Sequence, residues 1–149
     1  MSQKAALPLR GRVANMRSKI QPMRVFLSIA SYCDPVLGFT LARAIATARH
    51  PDRLHFGIVD QSPAAAPAPL AADVAPARLS LVRLEPLYAR GPCWARAIAM
   101  SLYDGEEWFF QIDSHMDFDP GWDDYLILLA TVLLLGQTLT VYKCMYPVT

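Results

Sequence analysis

The sequence VFLSIASYCDP, residues 25–35, decides the fold class. Residues 25–30 are a short apolar run rich in strand-forming side chains, which predicts a buried β-strand. Asp34 and Pro35 then supply an N-cap and a proline in the first helical turn. Apolar side chains follow at helical spacing as far as the breaker at residues 50–51. The stretch therefore predicts a strand, a loop and a helix in succession.

The same alternation continues along the chain. Further strands are predicted at residues 54–59, 79–84 and 108–112. Between the last two, a helix starts at Gly91 and Pro92 and ends near residues 104–105. Its apolar face is predicted to consist of Trp94, Ile98 and Leu102. Because a helix between buried strands favours parallel pairing, the pattern predicts an α/β, Rossmann-like sheet with helices on both faces.

Two segments differ in composition from this alternating region. Residues 1–23 contain basic but no acidic side chains, which predicts a flexible basic N-terminal arm, with a transit peptide as the less favoured alternative. Residues 62–77 are rich in Pro and Ala without periodicity and are predicted to form a surface loop. Residues 24–149 are expected to form one domain.

The segment 125–142 carries no charged side chain. A membrane-spanning helix needs about 20 consecutive apolar residues, but polar residues and a glycine interrupt this segment from Gly136 onward. We therefore predict a buried helix over residues 125–135 followed by a strand at 139–142. A C-terminal membrane anchor is the alternative.

The overall composition excludes some classes of protein. A formal net charge of +1, from 14 basic and 13 acidic residues, argues against a nucleic-acid binder, which needs a strong basic field. The three cysteines, Cys33, Cys93 and Cys144, are widely spaced and show no zinc-binding pattern. This usage favours a reducing compartment, so we expect a cytoplasmic protein. Cys93 lies in a helical pattern and is predicted to be a buried or partly buried structural thiol.

Polar side chains cluster where three of the predicted strands end. Ser31, Tyr32 and Asp34 follow the first strand, and Asp60 and Gln61 follow the second; a third cluster follows the fourth strand at residues 113–115. In an open α/β sheet, ligands bind beyond the carboxyl ends of the strands. Asp and Ser are also ordinary turn and cap residues, so each cluster alone has a purely structural interpretation.

The third cluster is the most informative of these. Asp113 and His115 are two residues apart, and in an extended backbone such residues point the same way. A carboxylate and an imidazole so placed can converge on one divalent ion or on one sugar phosphate. The alternative is an acidic, solvated turn. His50 and His55 have no comparable neighbours and are predicted to lie at the surface or at a strand edge.

Arg90 and Arg96 flank the predicted helix start at Gly91 and Pro92. Backbone N–H groups and the helix dipole favour an anion at such a position, and arginines can add charge-assisted hydrogen bonds to phosphate. The alternative is that Trp94 belongs to the core and that Arg96 pairs with a surface acid.

Three stretches of the chain resemble a known family. They are FLSIASY at residues 26–32 with Asp34 and Pro35 after it, RGPCWAR at residues 90–96, and QIDSH at residues 111–115 with PGWD at 120–123. Over residues 24–122 the chain is similar, in the same order, to the GlcNAc-transferase family related to the enzyme that glycosylates hydroxyproline on a cytosolic ubiquitin-ligase adaptor.

The resemblance implies a GT-A fold, UDP-GlcNAc as donor, a divalent Mn²⁺ or Mg²⁺ ion, and transfer of GlcNAc to a hydroxyl of a protein or glycan with retention. Asp113 would meet the ribose or the metal, and His115 would be a metal ligand, as in an Asp-x-Asp-like signature. The remaining donor-binding residues that the resemblance implies are Ser31, Tyr32 and Asp34 near the uridine, Asp60 at the base or ribose, and Arg90 and Arg96 at the pyrophosphate or at the acidic cluster. No catalytic base or nucleophile is assigned.

Members of this family continue beyond the matched region, so the acceptor half is expected to be missing from this chain, which puts its activity in question. One alternative is therefore a non-catalytic nucleotide-sugar-binding or interaction module that self-associates through an exposed sheet edge or apolar patch. Another is a metal-dependent nucleotidyltransferase or hydrolase on a similar sheet.

Overall fold

The chain alternates strands and helices, as the sequence predicts. The structure, a computed structural model, describes residues 23–69 and 72–136. In chain order the elements are β1 (Val25–Tyr32), α1 (Leu37–Thr47), β2 (Leu54–Gln61), β3 (Arg78–Arg83), α2 (Pro92–Met100), β4 (Trp108–Ile112) and α3 (Trp122–Gly136). Short 3₁₀ turns at Pro51–Arg53 and Pro86–Tyr88 precede β2 and α2. The predicted α/β class is confirmed.

The four strands form one sheet in the order β3-β2-β1-β4, and every pair is parallel. Val25 at the start of β1 lies opposite Leu54 of β2 on one side and Trp108 of β4 on the other. Parallel strands need crossover connections, and α1 and α2 lie in two of them. The first strand of the chain therefore lies inside the sheet, between β2 and β4.

The larger core lies on one face of the sheet. Alternate residues of β1 and β2 point to this face because side chains alternate along a strand, and they pack against α1 and α3. All of them are at most 2% exposed, and the set comprises Val25, Leu27, Ile29, Leu54, Phe56 and Ile58. Leu41 and Ala44 of α1 and Trp122 and Ile127 of α3 complete this cluster.

Helix α2 packs on the opposite face through small residues. Ala95 and Ala99 are fully buried against Val59, while Trp94 and Ile98 are half-buried at the side of this contact. The prediction of a Trp94–Ile98–Leu102 face was wrong in part, because α2 ends at Met100 and the residues directly facing the sheet are the alanines. Small side chains let the helix approach the sheet closely.

His55 is buried, so the prediction that it lies at the surface or at a strand edge was wrong. It is 2% exposed, because every residue of β2 is buried between its neighbouring strands and the two helix layers. Its Nδ1 lies 2.6 Å from Oε1 of Glu106, and its Nε2 lies 2.8 Å from Oγ of Ser80. The Phe26 ring contacts the imidazole edge to face, with 5.0 Å between the ring centroids. The imidazole thus joins β2, β3 and the segment before β4 near the amino end of the sheet.

The strand ends and the first helix start differ from the predicted positions. Strand β1 continues through Tyr32 and β2 through Gln61, so Ser31 and Asp60 lie in strands rather than in loops. Asp34 is not the N-cap of α1, since Val36 holds that position. Its Oδ1 instead accepts a hydrogen bond from the backbone N–H of Val36 at 3.0 Å, which stabilises the turn before the helix.

The connection between β2 and β3 has no helix or strand in its described residues, 62–69 and 72–77. It nevertheless sends one side chain inward, since Val74 is fully buried in the larger core cluster. The Pro- and Ala-rich segment is therefore attached to the domain at this residue.

Helix α3 confirms the helix expected near residue 125, but it is buried on one side only. Ile127 is 4% exposed, whereas Tyr125, Leu129 and Val132 are 65%, 41% and 46% exposed. Among residues 23–69 and 72–136, no helix combines the length and apolarity that crossing a bilayer requires. The predicted strand at 139–142 and the predicted N-terminal arm lie outside the described residues, apart from Met23.

Cys33 and Cys93 are free thiols and both are exposed. The prediction that Cys93 is buried was wrong, because the second residue of α2 lies beyond the part of the helix that contacts the sheet. Cys33 has a backbone φ of 48°, in the left-handed region that non-glycine residues seldom adopt. It ends β1 with a sharp change of chain direction toward Asp34.

Candidate functional site

The carboxyl ends of all four strands lie at one edge of the sheet, because every strand pair is parallel. The strands end there at Tyr32, Gln61, Arg83 and Ile112. The connections that follow β1 and β4 bring Asp34 into contact with residues 114–115. Ligands of open α/β sheets bind at this edge, and the candidate site is therefore located here.

Asp34 is the centre of one polar cluster. Its Oδ2 accepts hydrogen bonds from Oγ of Ser114 at 2.5 Å and from Nδ1 of His115 at 3.2 Å. Burial favours the neutral acid and is the largest single influence. The bonds from Ser114, the Val36 N–H and His115 together outweigh burial and hold the pKa of Asp34 below its ordinary value. The carboxylate is thus ionised and its donors fix its orientation.

Thr40 of α1 fixes the segment that follows β4. Its side chain is fully buried, and Oγ1 donates to the carbonyl oxygen of Ser114 at 2.8 Å. Oγ1 of Thr40 also accepts a hydrogen bond from the backbone N–H of Met116 at 3.0 Å. A hydroxyl that donates and accepts in this way holds two points of one loop, so His115 is presented from a loop anchored to α1.

Asp113 and His115 have different partners. Oδ1 of Asp113 lies 3.3 Å from Nη2 of Arg96, with both side chains exposed, whereas His115 pairs with Asp34. The extended backbone expected over these residues is absent from the described structure, because β4 ends at Ile112 and residues 114–115 form a turn. The structure therefore brings Arg96 to Asp113 and His115 to Asp34. The proposed convergence of Asp113 and His115 on one ion stays a prediction.

Arg90 and Arg96 lie on either side of the start of α2. Gly91 is the N-cap, with φ of 88°, and Pro92 is the first helical residue. The guanidinium of Arg90 lies over the Trp94 ring, 5.8 Å from its centroid, a cation–π contact. Both arginines keep solvent-accessible surface, so their charges remain available to an anion.

A second polar cluster runs across the sheet from β3 to β1. In register, Arg83 lies opposite Asp60, and Asp60 lies opposite Ser31. Nε of Arg83 is 3.2 Å from Oδ2 of Asp60, whose side chain is 2% exposed. Within the described residues, Oδ1 of Asp60 and Oγ of Ser31 are buried without a hydrogen-bond partner. Buried polar atoms are almost always hydrogen-bonded in proteins, so this pair of atoms suits a ligand that supplies donors.

Tyr32 and Gln61 are the next register pair of β1 and β2 after Ser31 and Asp60. Because side chains alternate along a strand, theirs lie on the other face of the sheet. Gln61 donates from Nε2 to the carbonyl oxygen of Ser31 at 3.3 Å, and its buried Oε1 has no partner in the part of the chain that is described. Tyr32 lies opposite Gln61 and is 59% exposed. The edge therefore offers an exposed aromatic ring beside a buried amide.

Arg83 belongs to the site but was not singled out by the sequence analysis. The sequence shows only an arginine near the end of a predicted strand, and its contact with Asp60 depends on the register of two strands. The opposite charges of the two residues are the signal that could have identified it, since Asp60 follows the predicted strand at 54–59 and Arg83 lies near the end of the predicted strand at 79–84. Ser114 was noted with its cluster, but its bond to Asp34 spans 80 positions of sequence.

The donor set at this edge suits one kind of divalent metal site. The described residues contain no group of three or more His, Cys, Asp or Glu side chains that could hold an ion. Mg²⁺ commonly uses only one or two carboxylates and takes its other ligands from water and substrate phosphates. An exposed carboxylate such as Asp113, with an exposed imidazole two residues away, fits an ion that arrives with a phosphate ligand. It does not fit an ion held by the protein alone.

The chain is similar to one family of known proteins. A family model described as Glycosyltransferase (GlcNAc) matches residues 24–82 and residues 72–148. No curated protein and no solved structure gave a significant match. The matched segments contain all the candidate residues at the carboxyl edge, from Ser31 to His115.

Proposed function

The chain belongs to the GlcNAc glycosyltransferase family, and from this premise we propose that it transfers GlcNAc from UDP-GlcNAc to a hydroxyl acceptor. The acceptor class is a protein or a glycan, and transfer proceeds with retention. The proposal includes a GT-A arrangement of the domain and a relation to the enzymes that modify hydroxyproline. It rests on the family match, on the parallel sheet, and on the polar groups at its carboxyl edge.

One observation supports a nucleotide at this edge most directly. Oδ1 of Asp60 and Oγ of Ser31 are buried and lack partners among the described residues. Leaving such atoms unsatisfied costs about 1–3 kcal/mol each. A nucleoside carries N–H and O–H donors on its base and ribose, so its binding would remove this cost. We therefore assign the base or ribose to Asp60 and Ser31.

We assign the rest of the donor to residues that the family resemblance implies and that lie near the same edge of the sheet. Tyr32 follows Ser31 directly and Asp34 lies three residues after Ser31, so we assign the uridine to the segment that they form. Arg90 and Arg96 keep exposed guanidinium groups at the start of α2, where a diphosphate would also meet the positive end of the helix dipole. Departure of UDP develops negative charge on the β-phosphate, and these arginines would stabilise it.

We propose a divalent cation, Mn²⁺ or Mg²⁺, as the cofactor. Asp113 and His115 would hold it, with the remaining ligands supplied by the diphosphate and water. When bound, the ion would neutralise part of the diphosphate charge. Arg96 is paired with Asp113 in the described structure. When Asp113 holds the cation instead, the guanidinium of Arg96 would be released to contact a phosphate oxygen of the donor.

We place the protein in the cytoplasm. The support is chemical: the two described cysteines, Cys33 and Cys93, are exposed and unpaired. Exposed thiols persist in reducing compartments and tend to be oxidised elsewhere. Mass spectrometry of alkylated protein from its native compartment tests this, and a disulfide at Cys33 or Cys93 would contradict it.

A non-catalytic nucleotide-sugar-binding module is the second candidate. The exposed apolar side chains of α3, Tyr125, Leu129 and Val132, favour it, because an apolar helix face in water favours association. In that case the chain binds UDP-GlcNAc and self-associates without turnover.

The experiment that tests the proposal is titration calorimetry of the full chain with UDP-GlcNAc, with and without Mn²⁺, followed by an assay for released UDP. Metal-dependent binding with UDP release is the expected result. Binding without release supports the module, and consumption of a nucleoside triphosphate would favour a nucleotidyltransferase or hydrolase.

A further inference from the structure

We propose that Arg83 is a positioning residue of the donor site, which orients Asp60 and holds the loop after β2 beside it. This inference rests on the proposed function, because the role of Asp60 as a nucleotide contact is part of that proposal. Arg83 acts through Asp60 and the loop rather than by touching the nucleotide.

The guanidinium of Arg83 connects two parts of the site. Its Nε is 3.2 Å from Oδ2 of Asp60. Its Nη2 donates to the carbonyl oxygens of Pro63 and Ala66, each at 3.1 Å. A guanidinium is planar and rigid and carries several N–H donors. When these donors bind the loop carbonyls, the orientation of the group that contacts the Asp60 carboxylate is therefore fixed as well.

The end of β3 holds the loop at further points. Glu85 accepts the backbone N–H of Ala64 through Oε1 at 3.0 Å. The backbone N–H of Leu84 donates to the carbonyl oxygen of Asp60 at 3.0 Å. Three backbone groups of residues 63–66 are thus bound by two side chains at the end of β3, and the loop is held next to Asp60.

The burial of Asp60 explains why an arginine is needed there. A buried carboxylate without a compensating partner is strongly unfavourable, and the Asp60 side chain is 2% exposed. The positive charge of Arg83 offsets the negative charge at Oδ2 of Asp60. Oδ1 of Asp60 remains buried without a hydrogen-bond partner in residues 23–69 and 72–136. The pairing with Arg83 therefore fixes the direction of Oδ1 and leaves it able to accept a hydrogen bond. A contact with a ligand donor requires both properties.

Lysine at this position would not reproduce the arrangement. Its ammonium is a compact point charge on a flexible stem, so it can pair with Asp60 but cannot hold the carboxylate and the loop carbonyls in one plane. The UDP affinity of Arg83→Lys is expected to lie between the affinities of wild type and Arg83→Gln.

A double-mutant cycle tests this inference. UDP affinity is measured by calorimetry for wild type, Arg83→Gln, Arg83→Lys, Asp60→Asn and the Arg83→Gln/Asp60→Asn double variant, with and without Mn²⁺. Arg78→Gln is the matched control, since Arg78 is in the same strand and its exposed pair with Asp104 is remote from the carboxyl edge. Circular dichroism confirms that each variant is folded.

Arg83→Gln is expected to weaken UDP binding about tenfold, which corresponds to about 1.4 kcal/mol, and Arg78→Gln to leave it unchanged. In the Asp60→Asn background, Arg83→Gln should weaken UDP binding less than it does in wild type, because the contribution through that carboxylate is already lost and only the contribution through the loop remains. The ratio of affinities with and without Mn²⁺ should stay constant in Arg83→Gln, whereas general loosening of the site would change it.

Two results would overturn the role of Arg83 while leaving the donor site intact. One is unchanged UDP affinity in Arg83→Gln, and the other is an undiminished effect of Arg83→Gln in the Asp60→Asn background. Failure of wild type to bind UDP at all would contradict the proposed function itself, and the inference with it.

Discussion

Asp34 and Asp60 are two carboxylates at the same edge of the sheet with different surroundings. Three donors hold Asp34: the hydroxyl of Ser114, the imidazole of His115 and the backbone N–H of Val36. Asp60 has a single cation, Arg83, and a buried oxygen without a partner in the described chain. These surroundings support the proposal that Asp60 contacts the nucleotide, and the donors around Asp34 also connect the loops that follow β1 and β4.

Asp113→Ala and His115→Ala are each expected to abolish the Mn²⁺-dependent part of UDP binding. Both side chains are exposed and each makes one ion pair, so their removal should change the free energy of unfolding by about 1 kcal/mol or less. Calorimetric titration with UDP, with and without Mn²⁺, measures the effect. Asp119→Ala is the control, as an exposed acid of the same connection. Metal-dependent binding that survives in both variants would refute the ligand assignment.

Glu106 gives a prediction about pH and stability. Burial raises its pKa and is the largest influence, but hydrogen bonds from the Asp104 N–H, from His55 and from its own N–H outweigh it, and the pKa lies below the ordinary value of 4.5. A depressed carboxyl pKa contributes stability above the unfolded-state pKa, and this contribution is lost as pH falls through the folded-state pKa. Wild type should therefore lose stability below about pH 4.5.

Glu106→Gln should lower the free energy of unfolding by about 1–3 kcal/mol at neutral pH, and the difference from wild type should shrink in acid. Urea denaturation at pH 7 and at several pH values below 4.5 measures this. Glu107→Gln is the neighbouring exposed control. A difference that stays constant over this pH range would contradict the account.

At the scale of elements, β2 is the strand that is buried along its whole length. Gly57 is required at its centre, since a Cβ there would lie 2.1 Å from Cζ of Phe26. Strand β2 and the Phe26 ring of β1 can pack at this distance only without a side chain at position 57.

Gly57→Ala is expected to destabilise the domain by about 1–3 kcal/mol or more, as overpacking does. Gly38→Ala is the matched control: Gly38 is in α1, and nothing lies within 4 Å of the position that an alanine methyl group would occupy there. Alanine at this position should stabilise the helix by about 0.5–1 kcal/mol. Urea denaturation of both variants compares them. Equal effects of the two substitutions would show that the Phe26 contact does not determine the packing of β2.

The sequence predicts the elements better than it predicts the contacts between them. Apolar runs and breakers locate β1, β2, β3, β4 and α1 to within a few residues, because these signals are local. The pairing of Arg83 with Asp60 and the burial of His55 depend on strand register and on layers above and below the sheet. Neither is written in the spacing of neighbouring residues. Asp113 and His115 show the reverse case, since local alternation predicts a common direction that the turn at residues 114–115 does not keep.

At the scale of the whole molecule, a buried polar network and the proposed binding site lie at opposite ends of one parallel sheet. The buried His55–Glu106–Ser80 network lies near the amino ends of the strands, and the cluster around Asp34 and Asp60 lies at the carboxyl ends. Among the hydrogen bonds given above for residues 23–69 and 72–136, none joins the His55–Glu106–Ser80 network to Asp34 or Asp60. Glu106→Gln at neutral pH should therefore change the urea midpoint without changing UDP affinity by more than about twofold, which calorimetry on the folded variant can check.

The central claim is that the carboxyl edge of the sheet binds the nucleotide of UDP-GlcNAc. The measurement that tests it most directly is calorimetric titration of wild type and Asp60→Asn with UDP in the presence of Mn²⁺. We expect saturable binding by wild type and binding at least about tenfold weaker by Asp60→Asn. Equal affinity of the two proteins, or no binding by wild type, would contradict it.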